Sequence, residues 1–138
     1  MPDRGVGDLA IVLHSHMPYV EGYGTYPFGE EWLFDAAVRS YLPVLDLARD
    51  LTVTVTPVLA DQLEAPGVAE RLRRFLLDHR LGAARRDVET AQPEYRAAAE
   101  AEVDRYARAL ELLDGLGGDP LAAFRRAAAS GRVALAAS

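Results

Sequence analysis

One stretch near the N-terminus constrains the fold of this chain more than any other. Residues 9–13 form an apolar run, Leu-Ala-Ile-Val-Leu, which stops abruptly in the sequence His-Ser-His-Met-Pro-Tyr at residues 14–19. A short, continuous apolar run without charge predicts a strand that is buried on both faces, as in parallel sheets. Ligands of parallel α/β proteins bind beyond the carboxyl ends of the strands. We therefore expect a functional site at the histidines that follow this strand.

Strand and helix signals alternate along the rest of the chain. Apolar residues at helical spacing indicate four helices, and β-branched or apolar runs indicate two more strands. The predicted helices cover residues 30–50 with a kink or restart at Pro43, residues 68–88, a segment opened by Pro93, and a segment capped by Asp119-Pro120 that ends at residue 129. The predicted strands are residues 51–57, followed by a short turn of structure at residues 58–63, and residues 133–137.

The resulting order is β-α-β-α-α-α-β, with crossovers long enough for parallel pairing, so the fold class is α/β. We find no internal domain boundary in residues 1–138. Three strands cannot close a barrel, which needs about eight, and an open sheet of three exposes two edges. We therefore expect the N-terminal portion of a larger α/β domain. Either the missing part of that domain or self-association through the sheet edges would cover the exposed surface.

Composition excludes several classes of function. The net charge is −6, which argues against nucleic acid or an anionic membrane surface as a partner. There is no cysteine, so disulfides, a thiol nucleophile and a thiolate metal site are excluded. The apolar run is short and follows Asp3, Arg4 and Asp8, unlike a signal peptide, and no stretch approaches membrane-spanning length. These features predict a cytoplasmic location.

Five segments carry a family resemblance. The His-Ser-His-Met-Pro-Tyr sequence at residues 14–19, with Tyr-Pro-Phe-Gly-Glu-Glu-Trp-Leu at residues 26–33, resembles the opening of glycoside hydrolase family 57. More narrowly, it resembles the bacterial α-1,4-glucan branching enzymes of that family. The other three segments are Tyr-Leu-Pro-Val-Leu at residues 41–45, Leu-Thr-Val-Thr-Val-Thr-Pro-Val-Leu-Ala-Asp-Gln-Leu at residues 51–63, and Gly-Asp-Pro-Leu-Ala-Ala-Phe-Arg-Arg at residues 118–126. The likeness covers essentially the whole chain.

The resemblance implies an incomplete (β/α)7 barrel, of which this chain supplies about three strands plus helices. It also implies action on α-glucans with retention at the anomeric carbon. Retention requires two carboxyl groups about 5–5.5 Å apart. In the family these are a glutamate and an aspartate on later strands, in segments that match nothing here. We therefore expect the parent to transfer a cleaved α-1,4-glucan to a 6-hydroxyl, and the chain alone to be inactive. An α-amylase or a 4-α-glucanotransferase is the alternative.

The same resemblance implies a set of substrate-binding residues. His16 matches the active-site histidine of the family, and with His14 it would line the subsite around the scissile bond. The candidates for sugar contact or loop support are Tyr19, Glu30 and Trp32. Neutral imidazole offers one donor and one acceptor, which suits hydroxyl groups. Glu30 and Glu31 also stand at the predicted start of a helix, where negative charge is favoured, and this explains them as well as a role in the site does. No catalytic residue, metal or cofactor is implied, and Met17 replaces a glutamine common elsewhere in the family.

Two other functions fit the residues. Because alternate residues of a strand point the same way, a His-x-His sequence at a strand end also begins amidohydrolase-type metal sites. Such a site needs further ligands, and the remaining histidine, His79, lies in a predicted helix, where we expect a core or helix-end position. A non-catalytic, truncated remnant that binds glucan weakly is the other alternative. Loop tyrosines Tyr23 and Tyr26 either stack on sugars or pack beneath the loop.

Overall fold

The computed structural model describes residues 7–138, so Asp3 and Arg4 of the signal-peptide argument lie outside the described residues. Three strands form one parallel sheet in the order β1-β2-β3. Their bounds are β1 Val12–Ser15, β2 Leu51–Val55 and β3 Val133–Ala137. The α/β class and the parallel pairing are both confirmed.

Helices form the two crossovers between these strands. In the first, α1 (Glu30–Ala36) continues through a π-helical segment (Ala37–Tyr41) into α2 (Leu42–Leu47). Pro43 lies in the first turn of α2, just after the π-helical segment. The backbone stays helical at Tyr41 and Leu42, so the predicted kink or restart is a local change of helix type within a continuous helix. The second crossover contains α3 (Pro57–Glu64), α4 (Val68–Phe75), a second π-helical segment (Leu76–Leu81), α5 (Gly82–Thr90), α6 (Arg96–Gly115) and α7 (Leu121–Ala129). None of the helices in the described part of the chain is long and apolar enough to cross a membrane.

Polar caps set several helix starts. The Thr56 hydroxyl accepts a hydrogen bond from the Leu59 amide at 3.3 Å, and Pro57 begins α3. The short turn predicted after β2 is therefore a two-turn helix. The Asp119 carboxylate accepts from the Leu121 amide at 2.8 Å, which confirms it as the cap of α7. Helix α6 begins only after a turn at residues 93–95, later than the predicted start at the proline.

The first strand differs from its prediction. It begins at Val12 instead of Leu9 and includes His14 and Ser15. The apolar run is not buried on both faces, since Leu9 is 85% exposed and Val12 58% exposed. The reason is that β1 is an edge strand with β2 as its one neighbour in the sheet, and the helices cover one face of that sheet.

The two faces of the sheet have different surroundings. Side chains alternate along each strand, and paired residues of neighbouring strands share a face. Val53 and Val133 are buried against the helices and join the hydrophobic core. The opposite face is exposed or half-buried, and it carries Val12, His14, Thr52, Thr54, Ala134 and Ala136. We call this set the open sheet face.

The core lies between the helices and the covered side of the sheet. Phe34 of α1, Phe75 of α4 and Phe124 of α7 are its largest fully buried side chains. The Phe34 and Phe75 rings meet with centroids 5.6 Å apart. Burying each phenylalanine contributes roughly 1.5–3 kcal/mol. The core therefore holds the crossover helices against β2, which fixes where the carboxyl end of β1 lies.

Candidate functional site at the carboxyl end of β1

Two imidazoles lie side by side where β1 ends. His14 is within the strand, and His16 follows it on the same side because strand side chains alternate. Their ring centroids are 6.0 Å apart, and the ring planes are 10° from parallel. Both side chains are exposed to solvent. The site therefore presents two nitrogen-bearing rings in one orientation, open to a ligand.

The neighbouring strand fixes one of these rings. His14 pairs with Thr54 in the β1–β2 ladder. The His14 Nδ1 atom is 2.7 Å from the Thr54 hydroxyl oxygen, within hydrogen-bond distance. This contact leaves Nε2 of His14 for a ligand. In the described part of the chain, the ring of His16 makes no hydrogen bond, so both of its nitrogens are available.

Tyr41 binds the backbone of the site through a hydrogen bond to His16. Its hydroxyl donates to the carbonyl oxygen of His16 at 2.9 Å. Burial raises the pKa of Tyr41 above its ordinary value, so the phenol keeps its proton and stays a donor at neutral pH. Met17 packs into the core beside this contact.

Gln62 of α3 holds the segment that follows the histidines. Its side-chain oxygen accepts from the Val20 amide at 2.7 Å, and its side-chain nitrogen donates to the Pro18 carbonyl at 3.1 Å. The same nitrogen donates to the Val58 carbonyl of its own helix at 3.1 Å. One buried amide thus satisfies three backbone groups and ties the loop after β1 to the helix after β2.

Glu30 is buried and already fully engaged. Arg71 binds both of its carboxylate oxygens, with nitrogen–oxygen distances of 2.6–3.0 Å, and the Thr25 hydroxyl donates to it at 3.0 Å. The hydrogen bond to Glu30 raises the pKa of Arg71 above its ordinary value. Its neighbour Glu31 accepts from Arg80 at 2.7 Å. This geometry supports the loop-support role predicted for Glu30 and leaves no free oxygen for a sugar.

Tyr19 and Trp32 are both exposed aromatics. The Tyr19 hydroxyl donates to Glu21 at 2.9 Å, and this bond and the carboxylate charge raise the pKa of Tyr19 above its ordinary value. Trp32 lies on α1 and is 57% exposed. Among the described residues, no hydrogen bond joins Tyr19, Glu30 or Trp32 to either imidazole. The structure brings His14 and His16 together and leaves the other three as separate features of the surroundings.

His79 is exposed, so the core position that we predicted as one alternative is wrong. The other alternative, a helix-end position, agrees with its place in the last turn of the second π-helical segment. Its ring stacks on Tyr26 with centroids 4.1 Å apart and an angle of 11°. The centroids of the Tyr26 and Phe75 rings are 6.4 Å apart. This tyrosine therefore packs the loop of residues 22–29, which we call the aromatic loop, onto the second crossover. The helical periodicity around His79 gave the wrong face because a π-helical turn shifts the phase.

The metal-binding alternative depends on how the possible ligands are arranged. Within residues 7–138, no group of three or more histidine, aspartate or glutamate side chains is arranged to hold a metal ion. The third histidine is stacked on Tyr26. The amidohydrolase alternative would need ligands beyond the pair at β1.

Sequence analysis missed three residues of the site: Thr54, Gln62 and Tyr41. Each lies in a segment that carries the family resemblance, but none is close in sequence to the histidines. The alternation of threonines at 52, 54 and 56 was the available signal, because it places hydroxyl groups on one face of β2. Pairing Thr54 with His14 required the register between β1 and β2, which the sequence does not specify.

Comparison with known proteins shows what this chain resembles. No family model matches it. It is 35% identical over 100 residues to a 1,4-alpha-glucan branching enzyme of Thermococcus kodakarensis. That match covers 66% of the chain and 15% of the relative. The chain therefore spans a small part of the length of the curated relative that it resembles.

Two solved structures share the fold over almost the whole chain. A GH57-type branching enzyme of Pyrococcus horikoshii matches with a TM-score of 0.81 and 30% identity, covering 93% of this chain and 26% of that one. An α-amylase of Thermotoga maritima matches with a TM-score of 0.83 and 25% identity, over the same shares of the two chains. The resemblance to glycoside hydrolase family 57 and the partial-barrel architecture are both confirmed.

Proposed function

We propose that residues 1–138 are the N-terminal part of the catalytic barrel of a retaining 1,4-α-glucan branching enzyme of glycoside hydrolase family 57. The α-glucan subsite of this part lies at the carboxyl end of β1. The observation that carries the proposal is the pair of exposed, nearly parallel imidazoles of His14 and His16. The two histidines lie at the carboxyl end of a parallel strand, which is where barrel enzymes bind substrate. The fold that carries this strand is shared with a solved branching enzyme.

The chain supplies binding groups and not the reacting carboxylates. A retaining transfer breaks an α-1,4 bond, holds the glycosyl group on one carboxylate and passes it to a 6-hydroxyl, with a second carboxyl group as acid and base. The open sheet face offers imidazole, hydroxyl and aliphatic side chains. Three carboxylates that follow the histidines in sequence already have partners: Glu21 accepts from Tyr19, Glu30 from Arg71 and Glu31 from Arg80. We propose that the chain alone forms no branches.

The histidines bind sugar hydroxyls in this account. His14 offers Nε2, and His16 offers one donor and one acceptor in its neutral form. Tyr19 and Trp32 offer exposed aromatic surface on which a sugar ring can pack. Glu30 acts indirectly, by holding the aromatic loop through Thr25 and Arg71.

One observation favours a second candidate within the same family. The T. maritima α-amylase matches this fold as well as the branching enzyme does. Hydrolysis and transfer share the covalent intermediate and differ in whether water or a glucan hydroxyl attacks it. Both reactions would use the same subsite at the carboxyl end of β1, so this subsite does not distinguish them. The higher sequence identity to branching enzymes favours transfer.

The remaining partner in this proposal is the rest of the barrel. Further parallel strands would cover the open sheet face and pair with the exposed edge of β1, where Ile11 and Val12 lie. Self-association through the same edge is the competing outcome, and it fits a remnant that binds glucan weakly. We also propose the cytoplasmic location that the sequence predicts.

Binding of a linear α-glucan tests the proposal. We expect isothermal titration calorimetry to detect binding of maltoheptaose and not of β-linked cellohexaose. His16→Ala should weaken binding by about 2- to 10-fold, as expected for one lost hydrogen bond. His79→Ala is the matched control, since it removes an exposed histidine outside the site, and should leave the affinity within twofold. Absence of maltoheptaose binding, or equal loss in both variants, would contradict the proposal.

A further inference from the structure

We propose that Thr54 is a positioning residue that fixes the His14 imidazole so that its Nε2–H group alone faces the ligand. Its role in binding rests on the proposed function, but its action on His14 is a property of the free chain. The two histidines would then differ in mobility, because Thr54 of β2 fixes the ring of His14 whereas the ring of His16 can rotate.

The geometry places the two side chains in contact without any loop between them. His14 and Thr54 are paired residues of neighbouring strands on the open sheet face. The His14 Nδ1 atom lies 2.7 Å from the Thr54 hydroxyl oxygen. Threonine is β-branched and stiff about its first side-chain torsion, so the hydroxyl is held in place by the backbone of β2. The contact therefore defines the ring orientation of His14.

The Thr54 hydroxyl can donate to Nδ1 or accept from an Nδ1–H group, depending on the tautomer of His14, and in our proposal the hydroxyl is the donor. A hydroxyl has one proton to donate, and in residues 7–138 the one polar partner of the Thr54 hydroxyl is His14. Donation to Nδ1 uses that proton. A neutral imidazole that accepts at Nδ1 carries its own proton on Nε2. His14 is thus set as a donor toward the solvent side, where a sugar hydroxyl oxygen would accept.

His16 provides the contrast. Its ring has no hydrogen-bond partner among the described residues, although its backbone is held by Tyr41. Fixing His14 before the ligand arrives removes the cost of ordering that side chain on binding. His16 keeps both nitrogens available and can change tautomer with the sugar that it meets. One ring is thus set in advance as a donor, and the other adapts.

The test compares Thr54→Val, which removes the hydroxyl at constant shape, with Thr54→Ser, which keeps it. In ¹⁵N-detected NMR of the imidazoles at a pH where they are neutral, we expect wild-type His14 to be predominantly the Nε2–H tautomer. Thr54→Val should move both His14 nitrogens toward the averaged values of a free ring, and Thr54→Ser should restore them. Thr52→Val, two residues away on the same face of β2, is the control and should leave His14 unchanged.

Affinity gives the second measurement. Thr54→Val should weaken maltoheptaose binding by about 2- to 10-fold, whereas Thr54→Ser should stay within twofold of wild type. Unchanged His14 nitrogens in Thr54→Val, or a wild-type ring protonated on Nδ1, would overturn the positioning role. A tautomer change in Thr54→Val without any maltoheptaose binding to the wild type would uphold that role and contradict the proposed function instead. Thr54→Ala carries the same test if the valine variant fails to fold.

Discussion

Gln62 is 1% exposed, and its side chain makes three hydrogen bonds to backbone groups. Two of these groups, the Val20 amide and the Pro18 carbonyl, belong to the loop that follows the histidines. A loop that leaves a strand carries backbone donors and acceptors that need partners when they are buried. A single amide side chain, with one acceptor and two donors, can meet both needs at once. The position of the histidine segment thus depends on a residue more than 40 positions away in sequence.

Replacing Gln62 should loosen the segment that follows the histidines. Gln62→Met keeps the volume and burial but leaves the Val20 amide and the Pro18 carbonyl without this partner. We expect the free energy of unfolding to fall by about 1–3 kcal/mol, the cost of leaving the buried Val20 amide without a partner, since Pro18 is exposed and its carbonyl can bind water. Urea denaturation followed by circular dichroism measures it. Asp61→Asn, on the exposed neighbour, should change stability by less than about 0.5 kcal/mol. Equal stability of the two variants would show that the amide does not hold the loop.

At the scale of elements, the aromatic loop and α1 are built as one unit. Gly29 has φ of +81°, and a β-carbon there would lie 2.3 Å from the carbonyl oxygen of Gly24, so glycine is required. The Glu30 amide donates to the same carbonyl at 2.9 Å. The Glu30 side chain then reaches Arg71 of α4, which also donates to the Pro66 carbonyl at 2.8 Å. This ion pair fastens the start of the first crossover to the second.

Removing the arginine of this pair should loosen the loop. Arg71→Met leaves Glu30 buried without its counterion, and we expect a loss of about 2–4 kcal/mol in the free energy of unfolding. The double variant Glu30→Gln with Arg71→Met should recover part of that loss, because no charge is then buried. Arg74→Met is the control on the same helix, since both side chains of its pair with Glu70 are about two-thirds exposed, and should cost less than about 0.5 kcal/mol. A double variant no more stable than Arg71→Met would argue against a buried-charge penalty.

The sequence predicts the bounds of an element well where residues of that element or its cap determine them. Asp119 marks the start of α7 and Pro43 marks a change of helix type, because a cap and a proline act on their own turn. The bounds of β1 depend instead on what lies beside it. An apolar run predicts burial on both faces, but β1 has one strand beside it and helices on one side. His14 was therefore expected after the strand and lies inside it. Thr54 was not predicted for a related reason: its contact with His14 depends on the register between β1 and β2.

At the scale of the whole molecule, the chain is a sheet covered on one side. The covered side joins the hydrophobic core through Val53 and Val133. The open sheet face carries His14 and Thr54 among small or aliphatic residues. The solved structures that share this fold are about four times as long, since the chain covers 26% of each. The histidines occupy the side of the sheet that the remaining strands of such a fold would enclose, and the proposed subsite lies on that side.

The most direct measurement uses the three histidines as separate reporters in one sample. Imidazole NMR signals of the wild-type chain are followed while maltoheptaose is added. The account predicts that the signals of His14 and His16 move together and saturate, while that of His79, stacked on Tyr26, stays where it is. Stationary signals for His14 and His16 at saturating maltoheptaose, or a shift confined to His79, would contradict the placement of an α-glucan site at the end of the first strand.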